Sequence, residues 1–197
     1  VVEEGDVLGA GQRLQDVGVR ECLEQAAAAV GWGREEEPDE GVGLACSWWT
    51  SGGWATSALI NLNEDGTVTL ITGAVDIGPG AKYTSLPQLV ADELKLRPED
   101  VIVSACDNDT SPYDHGDGGS RMTYNVGRAC QMAAEDLRGV ILERAARTLG
   151  VAEDLLELVP GGVRLLGHEE MALTLPEIVA GDGMALIRAV KADPGET

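Results

Sequence analysis

Two short runs set the β pattern of this chain. Ala58-Leu59-Ile60-Asn61-Leu62 and Thr67-Val68-Thr69-Leu70-Ile71 are rich in branched residues and alternate in character, and Glu64-Asp65-Gly66 lies between them. That arrangement predicts a hairpin, because period-two side chains line one face of a strand and Asp-Gly suits the turn. Helical periodicity governs most of the rest. Val19, Leu23, Ala26, Ala27 and Val30 form a stripe over 17–30, with Asp16 as the expected N-cap and Gly31 as the stop. Leu86, Leu89, Val90 and Leu94 predict a helix over Tyr83 to Leu94. Pro87 is tolerated only in a first turn, so the helix proper should begin near Leu86. The longest helix is expected over Asn125 to Leu149, with Val126, Cys130, Ala133, Leu137, Ile141 and Ala145 on its inner face and Gly150 at its end.

The remaining elements are shorter. Strands are expected at Gly41 to Trp49, Val101 to Ala105, Val163 to Leu166 and Ala185 to Val190. Short helices are expected at Ala152 to Leu158 and at Leu175 to Ala180, the latter capped by Thr174. Interleaved helices and strands joined by hairpins make the class α+β, a mixed or antiparallel sheet packed with helices. The charged, proline-containing stretch Arg34 to Glu40 divides the chain into residues 1–40, an N-terminal helix and connector, and 41–197, the main domain.

Charge narrows the function. The chain has 197 residues and a formal net charge of −20. Such a surface repels the phosphates of nucleic acid and anionic membranes alike. No apolar run is long enough to span a bilayer. Cysteines at 22, 46, 106 and 130 fit neither zinc nor iron–sulfur spacing and read as buried or semi-buried thiols of a reducing, cytoplasmic compartment. The chain starts without Met and reads as a fragment of a longer polypeptide.

The candidate chemistry lies between Val75 and Gly127. Val75-Asp76-Ile77-Gly78-Pro79-Gly80 and Gly116-Asp117-Gly118-Gly119-Ser120-Arg121-Met122-Thr123 are glycine-rich loops, each running into a helix. A helix N-terminus offers free amides to an anionic ligand, and glycine lets that ligand approach closely. Asp76 could brace the first turn, and the second loop adds hydroxyls and one guanidinium, Arg121, suited to a pyrophosphate-like group or else to a salt bridge with one of the chain's many carboxylates. Other motifs fail. Asp107-Asn108-Asp109 begins like a calcium loop, but Pro112 stands where glycine is required. His115 and His168 read as solvated loop residues, Gly161-Gly162 as a turn, and Glu169-Glu170 as solvated surface.

The ordered set resembles the molybdenum-cofactor-binding large subunit of the xanthine dehydrogenase, aldehyde oxidase and carbon monoxide dehydrogenase family. It comprises Asp76-Ile77-Gly78-Pro79-Gly80, Thr84, Gln88, Ala91-Asp92-Glu93-Leu94, the strand Val101-Ile102-Val103, Asp109-Thr110, Pro112, and Gly119-Ser120-Arg121 before a helix from Val126. The likeness runs from roughly Gly5 to Gly162.

The resemblance implies that Ile77, Gly78, Pro79, Gly80, Gly118, Gly119, Ser120, Arg121, Met122 and Thr123 contact molybdopterin, of which the cytosine dinucleotide is one form. It implies iron–sulfur and FAD groups on other domains or subunits, and a small-molecule substrate for the complete enzyme. Pro79 replaces the family's Gln beside the metal, so that amide contact is lost. The family's catalytic Glu and its substrate-side glycine loop have no counterpart here. The chain is thus expected to supply part of a cofactor cradle, with no catalytic residue and no protein-held metal of its own. A non-catalytic scaffold of the same fold, associating through Trp48, Trp49 and Trp54, stays open at this point.

Overall fold

The computed structural model describes residues 1–9, 11–47, 49, 52–181 and 186–192. Two compact units divide the chain, Val1–Trp49 and Thr50–Glu196.

In the first unit, helix α1 spans Val19–Val30. Gly31 ends it as expected, left-handed at φ 66° with cap bonds back to Ala27 and Ala28. Asp16 does not cap it. Asp16 is itself left-handed at φ 54°, Gly18 holds the cap position without a side-chain bond, and the Val17 amide is taken by Glu4 at 3.1 Å. None of the helix residues is buried. The expected strand at Gly41 to Trp49 is irregular chain over its described residues, and Trp48 lies outside them.

In the second unit, strands β1 (Thr56–Leu62) and β2 (Val68–Thr72) form the expected hairpin, with Ala58 opposite Thr72 and Leu62 opposite Val68. Every second residue of each strand is buried, so the inner row is Thr56, Ala58, Ile60 and Leu62 facing helices, with Val68, Leu70 and Thr72 beside it. Asp65 closes the turn through the Thr67 amide at 2.9 Å. Helix α2 (Ser85–Leu94) carries Pro87 in its first turn, where the missing N–H costs nothing. It buries Leu86, Val90, Ala91 and Leu94, while Leu89 is half-buried. Strand β3 (Val101–Val103) is shorter than expected and lies parallel to β2.

Helix α3 (Gly127–Leu149) is the spine of this unit. It runs on from a wide π turn at Met122–Val126 and packs on β1, β7 (Leu186–Ala192) and α2. All six residues of its expected inner face are buried. Burying side chains such as Leu137 and Ile141 contributes about 1.5–3 kcal/mol each. The helices cover one face of the sheet β3-β2-β1-β7.

The chain between 152 and 174 departs most from expectation. The helix expected at Ala152 to Leu158 is a short 3-10 turn followed by strand β4 (Leu156–Val159). Leu156 and Leu158 are both buried, which is strand rather than helix periodicity. Strand β5 (Gly162–Leu165) pairs with β4 and with β6 (His168–Thr174) in a second, three-stranded antiparallel sheet. β6 covers the stretch read as solvated loop. Helix α4 (Leu175–Ala180) follows with the expected Thr174 cap, and Glu177 completes a capping box.

Candidate functional site

The two glycine loops lie together at the mouth of the four-stranded sheet. The short turn Ala81–Tyr83 that follows the first loop packs on the π turn that follows the second. Asp117 in the second loop feels the charges of Asp76 and Lys82 from the first.

The first loop is closed by its own aspartate. Asp76 Oδ1 accepts the Gly78 amide at 2.7 Å and the Gly80 amide at 3.2 Å. This corrects the expectation of free amides here, because a carboxylate at the start of a tight turn captures the N–H groups two and four residues on. It also explains Pro79 locally. Proline lacks an N–H, and the turn asks for none at that position. Gly78 and Gly80 have φ of 125° and 80°, a region that excludes most side chains, and open space lies where their Cβ atoms would be. The loop presents Ile77, 71% exposed, and Pro79, also exposed.

The second loop is built differently. Arg121 is buried, and its guanidinium turns inward. Nη1 donates to Asp114 at 2.8 Å and to the Gly116 carbonyl at 2.9 Å, and Nη2 donates to the carbonyls of Trp54 at 2.8 Å and Ala55 at 3.3 Å. Asp114 also accepts from Gly116 N at 2.7 Å and from the Thr56 hydroxyl. Asn125 adds a bond to the Trp54 carbonyl at 3.0 Å. The Arg121 side chain therefore positions the loop, with its buried Nε left without a partner among the described residues.

That bracing leaves other groups free. Among the described residues, the amides of Gly118, Gly119 and Ser120 meet no acceptor. They stand at the N-terminus of the helical run that leads into α3, where the helix dipole favours negative charge. A Cβ on Gly118 would meet open space. Met122 packs partly on the core and Thr123 is exposed.

Unpaired acceptors lie beside these donors. Both oxygens of Asp117 and Oδ2 of Asp76 are closed off from solvent and have no hydrogen-bond partner among the described residues. Burial, reinforced by the Asp114 and Asp76 carboxylates and opposed by Arg121 and Lys82, pushes the Asp117 carboxyl above the usual aspartate range. Leaving such a group unpaired is costly, which fits a ligand that brings N–H donors of its own. Asp114, Asp117 and Lys82 were not picked out from the sequence, and only Asp76, at an Asx-turn spacing before its glycines, carried a legible signal.

Of the other candidates, His115 is not simply solvated. Its ring stacks on Trp54 at 4.7 Å and 21°. Trp49 is 73% exposed. No cluster among the described residues has the geometry to hold a metal ion, and no helix among them is long and apolar enough to cross a membrane.

Among the described residues, the two loops of this α+β unit thus bring amides and carboxylate oxygens without partners to one mouth, a set suited to a polar ligand. Comparison with known proteins makes the class specific. The model of the molybdopterin cofactor-binding domain matches residues 18–192, and the chain belongs to that family. It is 32% identical over 177 residues to the xanthine dehydrogenase molybdenum-binding subunit of Escherichia coli O157:H7, covering 83% of this chain and 23% of that protein. It is 29% identical over 195 residues to the 6-hydroxypseudooxynicotine dehydrogenase complex subunit gamma of Paenarthrobacter nicotinovorans, covering 98% of this chain and 24% of that one. Among solved structures, carbon monoxide dehydrogenase from Oligotropha carboxidovorans superposes with a TM-score of 0.65 at 28% identity, covering 73% of this chain and 18% of that chain. The chain thus spans about a quarter of the length of the curated relatives it matches.

Proposed function

We propose that this chain forms one wall of the molybdopterin site in a larger molybdenum hydroxylase-type oxidoreductase and does not turn over alone. The observation that carries this reading is that, among the described residues, the amides of Gly118, Gly119 and Ser120 and the buried carboxylate oxygens of Asp117 and Oδ2 of Asp76 lack partners side by side. A pterin bearing a phosphate needs both kinds of partner, because its ring has N–H donors and its tail has anionic oxygens. The amides hold the anionic tail with help from the helix dipole. Asp117 and Asp76 accept from the ring. Ile77, Gly78, Pro79 and Gly80 give a smooth contact surface, Thr123 lines the rim, and Arg121 and Met122 anchor the loop from behind.

When bound, the molybdenum centre supplies the oxidation–reduction chemistry, and the protein orients it. Iron–sulfur and FAD groups belong to other domains or subunits, and the substrate is a small molecule. The setting is cytoplasmic, and neither nucleic acid nor membrane is a partner for so acidic a chain.

The test is molybdenum and pterin content of protein purified from its native host with associated chains retained. Near-stoichiometric metal and pterin support the cradle. Folded protein with neither, from cells that make other active molybdenum enzymes, overturns it and favours the scaffold reading.

A further inference from the structure

Lys82 is 1% exposed, yet it forms no ion pair among the described residues. Its Nζ lies 2.8 Å from the Cys106 sulfur, a residue 24 positions along the chain. That separation is typical of nitrogen and an oxygen acceptor. Sulfur is larger, and an ordinary N–H···S contact is longer. The sulfur is fixed in turn, 2.9 Å from the Ala74 carbonyl and 3.5 Å from that of Thr72. A buried amine thus lies against a thiol that is itself held by two backbone carbonyls.

We propose that Lys82 and Cys106 are the site of a covalent cross-link through one oxygen atom, Nζ–O–Sγ. The co-reactant is dioxygen. The thiol loses its S–H hydrogen, the amine loses one N–H hydrogen, and one oxygen atom is inserted between sulfur and nitrogen. The other oxygen leaves as water with those two hydrogens. One thiol, one amine and one dioxygen thus give one S–O–NH link and one water, and an ammonium in place of the amine releases one further proton. Sulfur and nitrogen each give up two electrons, which together reduce the dioxygen.

Geometry favours this product. Two single bonds meeting at a bent oxygen span nearly the separation already present, whereas a direct S–N bond would pull both side chains well inside it. Proximity of this kind replaces a bimolecular encounter with a held one. Access is asymmetric in the right way, since Cys106 is partly exposed to a small oxidant while Lys82 is enclosed. The other cysteines serve as internal comparisons. Cys22 and Cys46 are exposed, against the expectation of buried or semi-buried thiols, because they sit on the unburied helix α1 and the irregular chain after it, and Cys130 is buried in α3 with its thiol pushed up to about 12 by desolvation.

The link would join the turn after the first glycine loop to the chain leaving β3. It would fasten the loop that carries Gly78, Pro79 and Gly80. The inference rests on the Lys82–Cys106 geometry and stands whether or not a pterin binds.

The test is peptide mapping by mass spectrometry of the native protein, with associated chains retained, held under reductant and then exposed to air. The expected result is a cross-linked peptide pair containing Lys82 and Cys106. Its mass exceeds the sum of the two free peptides by one oxygen less two hydrogens. Dithiothreitol should release it, and Cys106→Ser and Lys82→Arg should not form it. The wild-type comparison before and after air decides the matter even where a variant fails to fold. The proposal is overturned by full alkylation of Cys106 after air exposure, by a sulfinic Cys106 beside an unmodified Lys82, or by a link that lacks the oxygen.

Discussion

Arg121 and Asp114 meet at 2.8 Å with side chains 0% and 2% exposed, so the guanidinium expected to face a ligand instead holds the second glycine loop against the end of β1. A buried pair of this kind is expensive to break from one side, because the remaining charge and the carbonyls of Gly116, Trp54 and Ala55 lose their partners.

Arg121→Met is therefore expected to cost about 3–5 kcal/mol of stability. Arg121→Lys should recover only a part, since an ammonium cannot copy the planar fork that reaches four oxygens. Thermal unfolding of the native protein checks both, and a loss well under 1 kcal/mol for the Met variant would contradict the bracing role.

Gly118→Val separates ligand from fold. The added Cβ meets open space, so unfolding should be little changed. Molybdenum and pterin content should fall. Retention of full cofactor content would remove Gly118 from the site.

Asp117→Asn should stabilise cofactor-free protein at neutral pH. The folded-state pKa of Asp117 lies above its unfolded value near 3.8, so the folded chain resists its ionisation. That penalty is full above the folded pKa and disappears as pH falls toward 3.8. The melting-temperature gain of the variant should shrink over the same window. A gain independent of pH would point to some other cause.

Gly73→Ala should disturb the site by backbone collision, because its Cβ would lie 2.3 Å from the Pro112 carbonyl. Gly162→Ala collides as badly, at 2.2 Å from the Leu173 carbonyl, but in the three-stranded sheet. Both should destabilise by about 1–3 kcal/mol. Cofactor content should fall further for Gly73→Ala, which displaces the segment carrying Asp114.

Much of the fold was legible because its signals are local. Thr174 and Glu177 form their capping box within one turn, and Gly150 stops α3 at φ 69°. The strand β6 was missed because it lies at the edge of its sheet, paired only with β5, and its polar run His168-Glu169-Glu170 lacks strand character. β4 was misread because Leu155 and Leu158, three apart, mimic a helical face, while the structure buries Leu156 and Leu158. Asp16 failed as a cap because it is itself left-handed at φ 54° and the helix starts later, with Gly18 in the cap position.

By itself the sequence determined the hairpin, the α2 and α3 faces, the α4 cap and the ordered glycine loops that mark the family. These depend on residues two to four apart, or on motifs read in order along the chain. Tertiary structure alone decided that Arg121 turns inward to Asp114 and that Lys82 meets Cys106. Each of those outcomes depends on which partner a polar group finds through space once water is excluded, and strand pairing and helix packing supply that partner.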